Sequence, residues 1–191
     1  MNEPLEIVAY KPTWPARYEV IAERLAEALQ GLEIRIDHIG STSVPELASK
    51  DRIDVQITIP TGEEAYISEL NRKLAKAGLG EAAPFEDHRP PGDTSPAIEW
   101  QKWYLRGNHF PYPCNIHIRV QGRKNQVYPL LFRDFLRANQ PSALAYGEFK
   151  QRLARLLPED RHTYCDVKDP VCDLILEHAQ KWAAETDWKC E

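Results

Sequence analysis

The run Ile53-Asp54-Val55-Gln56-Ile57-Thr58-Ile59 alternates aliphatic and polar residues without a fault. A period of two belongs to an extended strand, with Ile53, Val55, Ile57 and Ile59 on one face and Asp54, Gln56 and Thr58 on the other. A lone strand is not stable in water, so the rest of the chain has to supply its neighbours and a cover for its apolar face. Ile34, Ile36 and His38 alternate with Arg35 and Asp37 as a short strand would. Ala97 to Arg106 and Cys114 to Val120 read as two more strands, joined through Gly107-Asn108, Pro111 and Pro113. In the second of these, Asn115, His117 and Arg119 share one face.

The cover is predicted to be helical. From Pro12 to Gln30 the residues Trp14, Tyr18, Ile21, Ala22, Leu25, Ala28 and Leu29 recur at helical spacing, with Pro15 in the first turn and Gly31 closing the helix. Gly62 to Ala77 repeats the pattern with Tyr66, Ile67, Leu70 and Leu74. Ala82 to Pro96 is rich in Pro, Asp and Gly and is predicted to be a long surface loop. From Asn125 onward three helical segments follow, punctuated by Pro141, Pro158 and Pro170, the last running from Val171 to Trp182. With 191 residues and no repeat or linker, the chain is expected to form one α/β domain, 1–191, with a helical last third.

Lys plus Arg number 24 against 29 Asp plus Glu, a net charge of -5. That balance argues against a protein that coats nucleic acid, which needs a surface excess of cations. No apolar run approaches the roughly 20 residues of a membrane span, and MNEPLEIVAYKP lacks the apolar segment of a signal peptide. A soluble, cytoplasmic protein without nucleic-acid or membrane partners is expected. Cys114, Cys165, Cys172 and Cys190 include no Cys-x-x-Cys pair and read as reduced thiols. Cys165, Cys172 and His162 match no standard zinc spacing and lack a fourth ligand.

The residues with most chemical content are His38-Ile39-Gly40-Ser41-Thr42-Ser43-Val44-Pro45, followed by Lys50 and Asp54. A Gly-Ser turn leaving a strand offers open backbone N–H groups at Gly40 and Ser41 and hydroxyls at Ser41, Thr42 and Ser43, which suits a polyphosphate. Asp54 on the next strand can hold Mg2+ shared with those phosphates. Read without a ligand, the same residues make an ordinary polar turn and the solvated face of a half-exposed strand.

The run from His38 to Pro45, with Lys50, Ile53 and Asp54, closely resembles the GrpB family of the nucleotidyltransferase superfamily. So does Leu131-Phe132-Arg133-Asp134-Phe135-Leu136-Arg137, with Ala145-Tyr146, Lys150, Leu153, Asp160-Arg161, Tyr164 and Lys168 beyond it. The resemblance spans nearly the whole chain. It implies an α/β (α+β) fold: a nucleotidyltransferase-like mixed sheet flanked by helices, with a helical C-terminal region. It also implies a nucleoside triphosphate substrate and Mg2+ or Mn2+ as cofactor. Gly40 and Ser41 match the phosphate turn and Asp54 the first metal-binding acid. The second acid position holds Gln56, a neutral amide and a weak ligand at most, and the third falls on His117 or Glu99. His117 is a candidate metal ligand or general base, or a histidine hydrogen-bonded within the sheet.

For phosphate charge the candidates are Lys50, Arg106, Arg119, Arg133, Arg137 and Lys168, with Lys50 preferred for its place between turn and acid. Arg133 and Arg137 share a helix face at i, i+4 and can equally pair with Asp134. Pro45-Glu46-Leu47 departs from the Pro-Gly-Leu expected of the family. His38 could position the turn, His88-Arg89 could form a lid, and Trp100 or Trp103 could stack a base.

The expected function is Mg2+-dependent transfer of a nucleoside monophosphate to an unknown small-molecule or protein acceptor, with a homodimer left open. The competing expectation, motivated by Gln56, is a nucleotide-binding or protein-interaction module without catalysis. A metal-dependent hydrolase built on Asp54 and His117 is the third.

Overall fold

A computed structural model describes residues 5–190; residues 1–4 and 191 of the expected 1–191 domain lie outside the described part. Five strands, β1 (Arg35–Ile39), β2 (Ile53–Ile59), β3 (Ala83–Glu86), β4 (Gln101–Gly107) and β5 (Cys114–Val120), form one sheet in the order β1-β2-β5-β4-β3. β2 and β5 run parallel and the other neighbours antiparallel. The helices are α1 (Trp14–Ala28), α2 (Glu64–Lys76), α3 (Lys124–Ala138), α4 (Gln140–Leu156) and α5 (Arg161–Thr186). None of them is long and apolar enough to cross a membrane.

The apolar face of β2, with Ile116 and Ile118 of β5, packs on Trp14, Ile21, Leu25, Ile67, Leu70 and Leu74 of α1 and α2. This core follows directly from the two periodicities. The polar face is not solvated as its alternation suggested, because α3, α4 and α5 roof it: Gln56 is fully buried and Thr58 nearly so. The roof has its own core of Val44, Leu47, Leu131, Phe135, Leu136, Tyr146 and Leu176.

Three further expectations are corrected. The loop from Ala82 contains β3, an exposed edge strand where Pro84 is tolerated because an edge leaves donors unpaired anyway. The strand expected from Ala97 begins at Gln101, after a 3-10 turn over Ala97–Trp100. Pro170 does not separate helices, since α5 runs through it from Arg161. That proline is exposed, so the carbonyl it leaves without a donor can turn to water. Asp160 caps the helix by accepting from the Thr163 backbone N–H at 3.0 Å.

Candidate functional site

β1 pairs with β2 so that Ile39 lies opposite Asp54, and the chain then turns at Gly40. Gly40 has φ 70° and ψ -175°, a conformation close to glycine-only. A Cβ built there would stand 2.6 Å from Asp54 Oδ2. Ser41–Ser43 then form a 3-10 turn. Only Ser41 of its hydroxyl residues lines the cavity beneath the helical roof. Thr42 Oγ1 bonds His38 Nε2 at 3.0 Å and Ser43 Oγ donates to Gly40 O at 2.6 Å. Both side chains are buried and shape the turn, which corrects their assignment to phosphate. His38, stacked on Tyr18 and with its pKa lowered by burial to about 4, belongs to the same scaffold.

Arg133 and Arg137 also serve the turn from behind. Arg133 Nη1 donates to His38 O at 3.1 Å while its Nε and Nη2 fork onto Asp134, and Arg137 Nε donates to Ser43 O at 3.0 Å. Neither lines the cavity. The phosphate role expected of Arg133 is therefore corrected: its guanidinium is spent on a carbonyl and a carboxylate.

Lys150 of α4 reaches the turn from the cavity side. Its Nζ donates to Ser41 Oγ and Ala48 O, each at 2.6 Å, and lies 4.5 Å from the Tyr146 ring centroid. Burial pulls this ammonium down to about 7. Lys50 lies 4.8 Å from the Tyr164 ring centroid, and burial lowers it too. Lys168 rests beside Asp169 and Cys172; burial opposes its charge, but those neighbours outweigh it and its pKa rises. Gly40, Ser41, Lys50, Asp54, Lys150, Arg161 and Lys168 thus meet around one cavity of about 480 Å³.

On the sheet floor, Asn115 Nδ2 donates to Asp54 Oδ1 at 2.7 Å, and Tyr104 Oη donates to Asn115 Oδ1 at 2.8 Å. Burial raises the Asp54 pKa, yet His117, Asn115 and the Lys50 charge more than offset it and hold the group below its ordinary value. His117 Nε2 stands 3.7 Å from Asp54 Oδ1, and Lys102 Nζ lies 3.1 Å from His117 Nδ1. The ammonium can only donate, so Nδ1 accepts and the ring proton sits on Nε2, facing Asp54. Burial, with Lys102, lowers this imidazole to about 4. His117 as it stands is a neutral donor toward Asp54, with its one free lone pair already used.

Gln56 does not face the cavity. Its Oε1 accepts from Arg119 Nη1 at 2.8 Å, and its Nε2 donates to Gln126 O at 3.0 Å. Arg119 lines the cavity, but its Nε and Nη2 fork onto Asp87 at 2.9 and 3.0 Å. Asp87 also accepts from Lys102 and, at 3.1 Å, from Asn125 Nδ2. Burial works against its charge, but Arg119 and Lys102 hold the carboxyl well below the carboxylate range. Glu99 sits on the 3-10 turn, where it accepts from the Lys124 backbone N–H at 2.9 Å and caps α3, so it is no candidate for the third acid. Arg106 is exposed and outside the cavity. Trp100 borders the cavity but is buried with its indole N–H on Ser95, whereas Trp103 packs against Gly62 on the opposite face and is not available to stack a base in the cavity. His88 is tied to α5 by a 2.8 Å contact with Asp173.

Among the described residues no three His, Cys, Asp or Glu side chains gather as a metal cage. One hard divalent ion held by Asp54 and shared with substrate phosphates fits these donors, since Mg2+ commonly uses one or two protein carboxylates. A second ion does not fit, because the oxygen that would bind it carries the Arg119 guanidinium.

Sequence reasoning left Lys102, Asp87 and Asn115 unassigned and met Lys150 only within a motif. Lys102 and Tyr104 alternate with Trp103 and Leu105, so a floor position was readable. Lys150 falls four residues after Tyr146 and three before Leu153, on the apolar stripe of its helix. Asp87 carried no signal, being one acid in a polar stretch.

Comparison with known proteins bears on the fold and the family. The crystal structure of the conserved protein GrpB from Enterococcus faecalis is 27% identical, with a TM-score of 0.71 over 92% of this chain and 98% of that one. A mutant of the Cid1 poly(U) polymerase bound to MgATP superposes with a TM-score of 0.50 at 10% identity, covering 78% of this chain and 43% of the polymerase, a likeness of fold alone. The chain shares a nucleotidyltransferase-like fold with that polymerase. A dephospho-CoA kinase of Mycolicibacterium paratuberculosis is 31% identical over 97% of this chain but only 48% of its own length. The chain therefore spans about half of that relative. The sequence model of the GrpB protein family matches residues 4–178, and on that match the chain belongs to the GrpB family.

Proposed function

We propose that this chain is a nucleotidyltransferase, moving a nucleoside monophosphate from a Mg2+-bound nucleoside triphosphate to a small-molecule or protein acceptor. The observation that carries the reading is the close approach of Gly40 to Asp54 at one point of a cavity lined by Lys50, Lys150 and Lys168, which supports reading the turn as a phosphate site and Asp54 as a metal ligand. Backbone N–H groups of the turn and the Ser41 hydroxyl, oriented by Lys150, hold the phosphate chain. Lys168 from the roof and Lys50 from the segment before β2 offset its charge. Asn115 and His117 aim the Asp54 carboxylate, and the burial of the floor keeps these dipoles fixed and effective. The metal, once bound at Asp54 with the substrate, would neutralise charge on the transferring phosphoryl group.

The test is calorimetric titration of ATP, GTP, CTP and UTP into wild type and Asp54→Asn, with Mg2+ and with EDTA, followed by a pyrophosphate-release screen of acceptors using the nucleotide that binds. Mg2+-dependent binding that vanishes in Asp54→Asn, with pyrophosphate release, is expected. Folded protein that binds none of the four refutes the reading. The lock of Arg119 on Gln56 favours one second reading, a nucleotide-binding module without transfer. It would bind the nucleotide and release no pyrophosphate with any acceptor.

A further inference from the structure

The polar floor holds an ionic cluster that the proposed transfer does not use. Lys102 and Arg119 both bind Asp87, and Asn125 closes the cluster on the α3 side. The two cations are nearly sealed, each with 6% of its side chain exposed, and Asp87 has 15%. Two cations against one carboxylate leave an excess of one positive charge. Its direction is fixed by the contacts: Arg119 points at Gln56 Oε1 and Lys102 at His117, and Gln56 and His117 are cross-strand partners. Asp54 is two residues before Gln56 on the same strand face.

A divalent ion bound through Gln56 Oε1 would sit about 2.1 Å from that oxygen, which already has a guanidinium nitrogen at 2.8 Å. Two cations cannot share that space without the arginine leaving, and leaving means breaking its fork on the partly buried Asp87. Resting on the nucleotidyltransferase reading above, we propose that Arg119 and Lys102, anchored by Asp87, are a built-in cation that takes the place of a second metal ion. The site therefore binds one divalent ion per nucleotide, and Asp87 is the positioning residue of the substitute. Arginine suits this role because it stays charged at every physiological pH and its fork fits a carboxylate.

The experiment counts bound Mn2+ by electron paramagnetic resonance, with and without α,β-methylene-ATP, on wild type, Gln56→Asp and Gln56→Asp/Arg119→Gln, each verified as folded by circular dichroism. Wild type is expected to hold one Mn2+ per bound nucleotide. Gln56→Asp is expected to hold one as well, because the new carboxylate pairs with Arg119, while the double variant gains a second ion. Two ions on wild type, or a second ion on Gln56→Asp alone, overturns the inference. Mn2+ added without nucleotide separates this failure from failure of the transferase reading. Equal ion counts on the single and double variants overturn the built-in cation even if no nucleotide binds, whereas absent nucleotide binding with a second ion only on the double variant overturns the nucleotide reading and supports the cation. Should the double variant not fold, the wild-type and Gln56→Asp counts decide.

Discussion

Gly40→Ala is expected to damage stability and ligand binding together, and the two can be separated. Backbone in the region Gly40 occupies costs a non-glycine residue about 1–3 kcal/mol. The new methyl would also start 2.6 Å from Asp54 Oδ2 and 3.0 Å from Asp54 Cβ, so the carboxylate must swing away from the turn. At about 2–4 °C per kcal/mol for a chain of this size, the strain alone lowers Tm by about 2–12 °C. Gly78 is the control, since it shares φ +70° and a methyl added there would meet nothing within 4 Å. Gly78→Ala should lose stability by backbone strain and keep Mg2+-dependent nucleotide binding. Gly40→Ala should lose stability and also lose that binding, read by calorimetry below the lower Tm. If Gly40→Ala binds Mg·ATP as wild type does while Asp54→Asn does not, the contact between turn and acid is incidental, and the argument built on it fails.

The remaining predictions concern charge. Folded Lys150 releases its proton near 7, against about 10.4 in an unfolded chain; between these values the unfolded chain binds more protons, so stability should rise with pH from about 7 to 10, and Lys150→Met should flatten that slope in thermal melts. A bound polyphosphate favours the ammonium, so nucleotide binding at pH 8 should take up protons, seen as a buffer-dependent binding enthalpy that Lys150→Met reduces; enthalpies independent of buffer refute this. Asp87→Asn leaves two buried cations without their carboxylate and should cost about 3–5 kcal/mol in a denaturant titration. Because the folded Asp87 pKa is depressed, its contribution is full above about pH 4 and lost as pH falls further, so wild type and Asp87→Asn should converge in acid. Asn115→Ala removes a partner of the Asp54 carboxylate and, on the proposed reading of that carboxylate as the metal ligand, should weaken Mn2+ binding by about 10–100-fold. Arg133→Lys should leave nucleotide affinity within about threefold, since the guanidinium braces the turn from outside the cavity.

What could be read from the sequence follows the range of the interactions. β2, α1 and α2 were legible because their order is local: a period of two or 3.6 is written in consecutive residues. β3 was hidden because an exposed edge strand containing Pro84 has no apolar alternation to betray it. The Gly-Ser turn and Asp54 were legible as a pair because they flank one antiparallel strand pairing, 14 residues apart in the chain. The functions of Thr42, Ser43 and Arg133 were misread because hydroxyls and guanidinium groups suit backbone carbonyls as well as phosphates, and the choice is made by which side of the turn they face. The sharpest case is Gln56. Read along the strand it is a missing acid, a loss of one negative charge. Read across the sheet, a carboxylate there would cancel one positive charge of the floor, whereas the neutral amide accepts one N–H from Arg119 beside its fork on Asp87 and cancels none. Replacing acid by amide therefore preserves the positive charge of the floor next to Asp54, and that compensation depends on Asp87 and Arg119, 32 residues apart and brought together only by the fold.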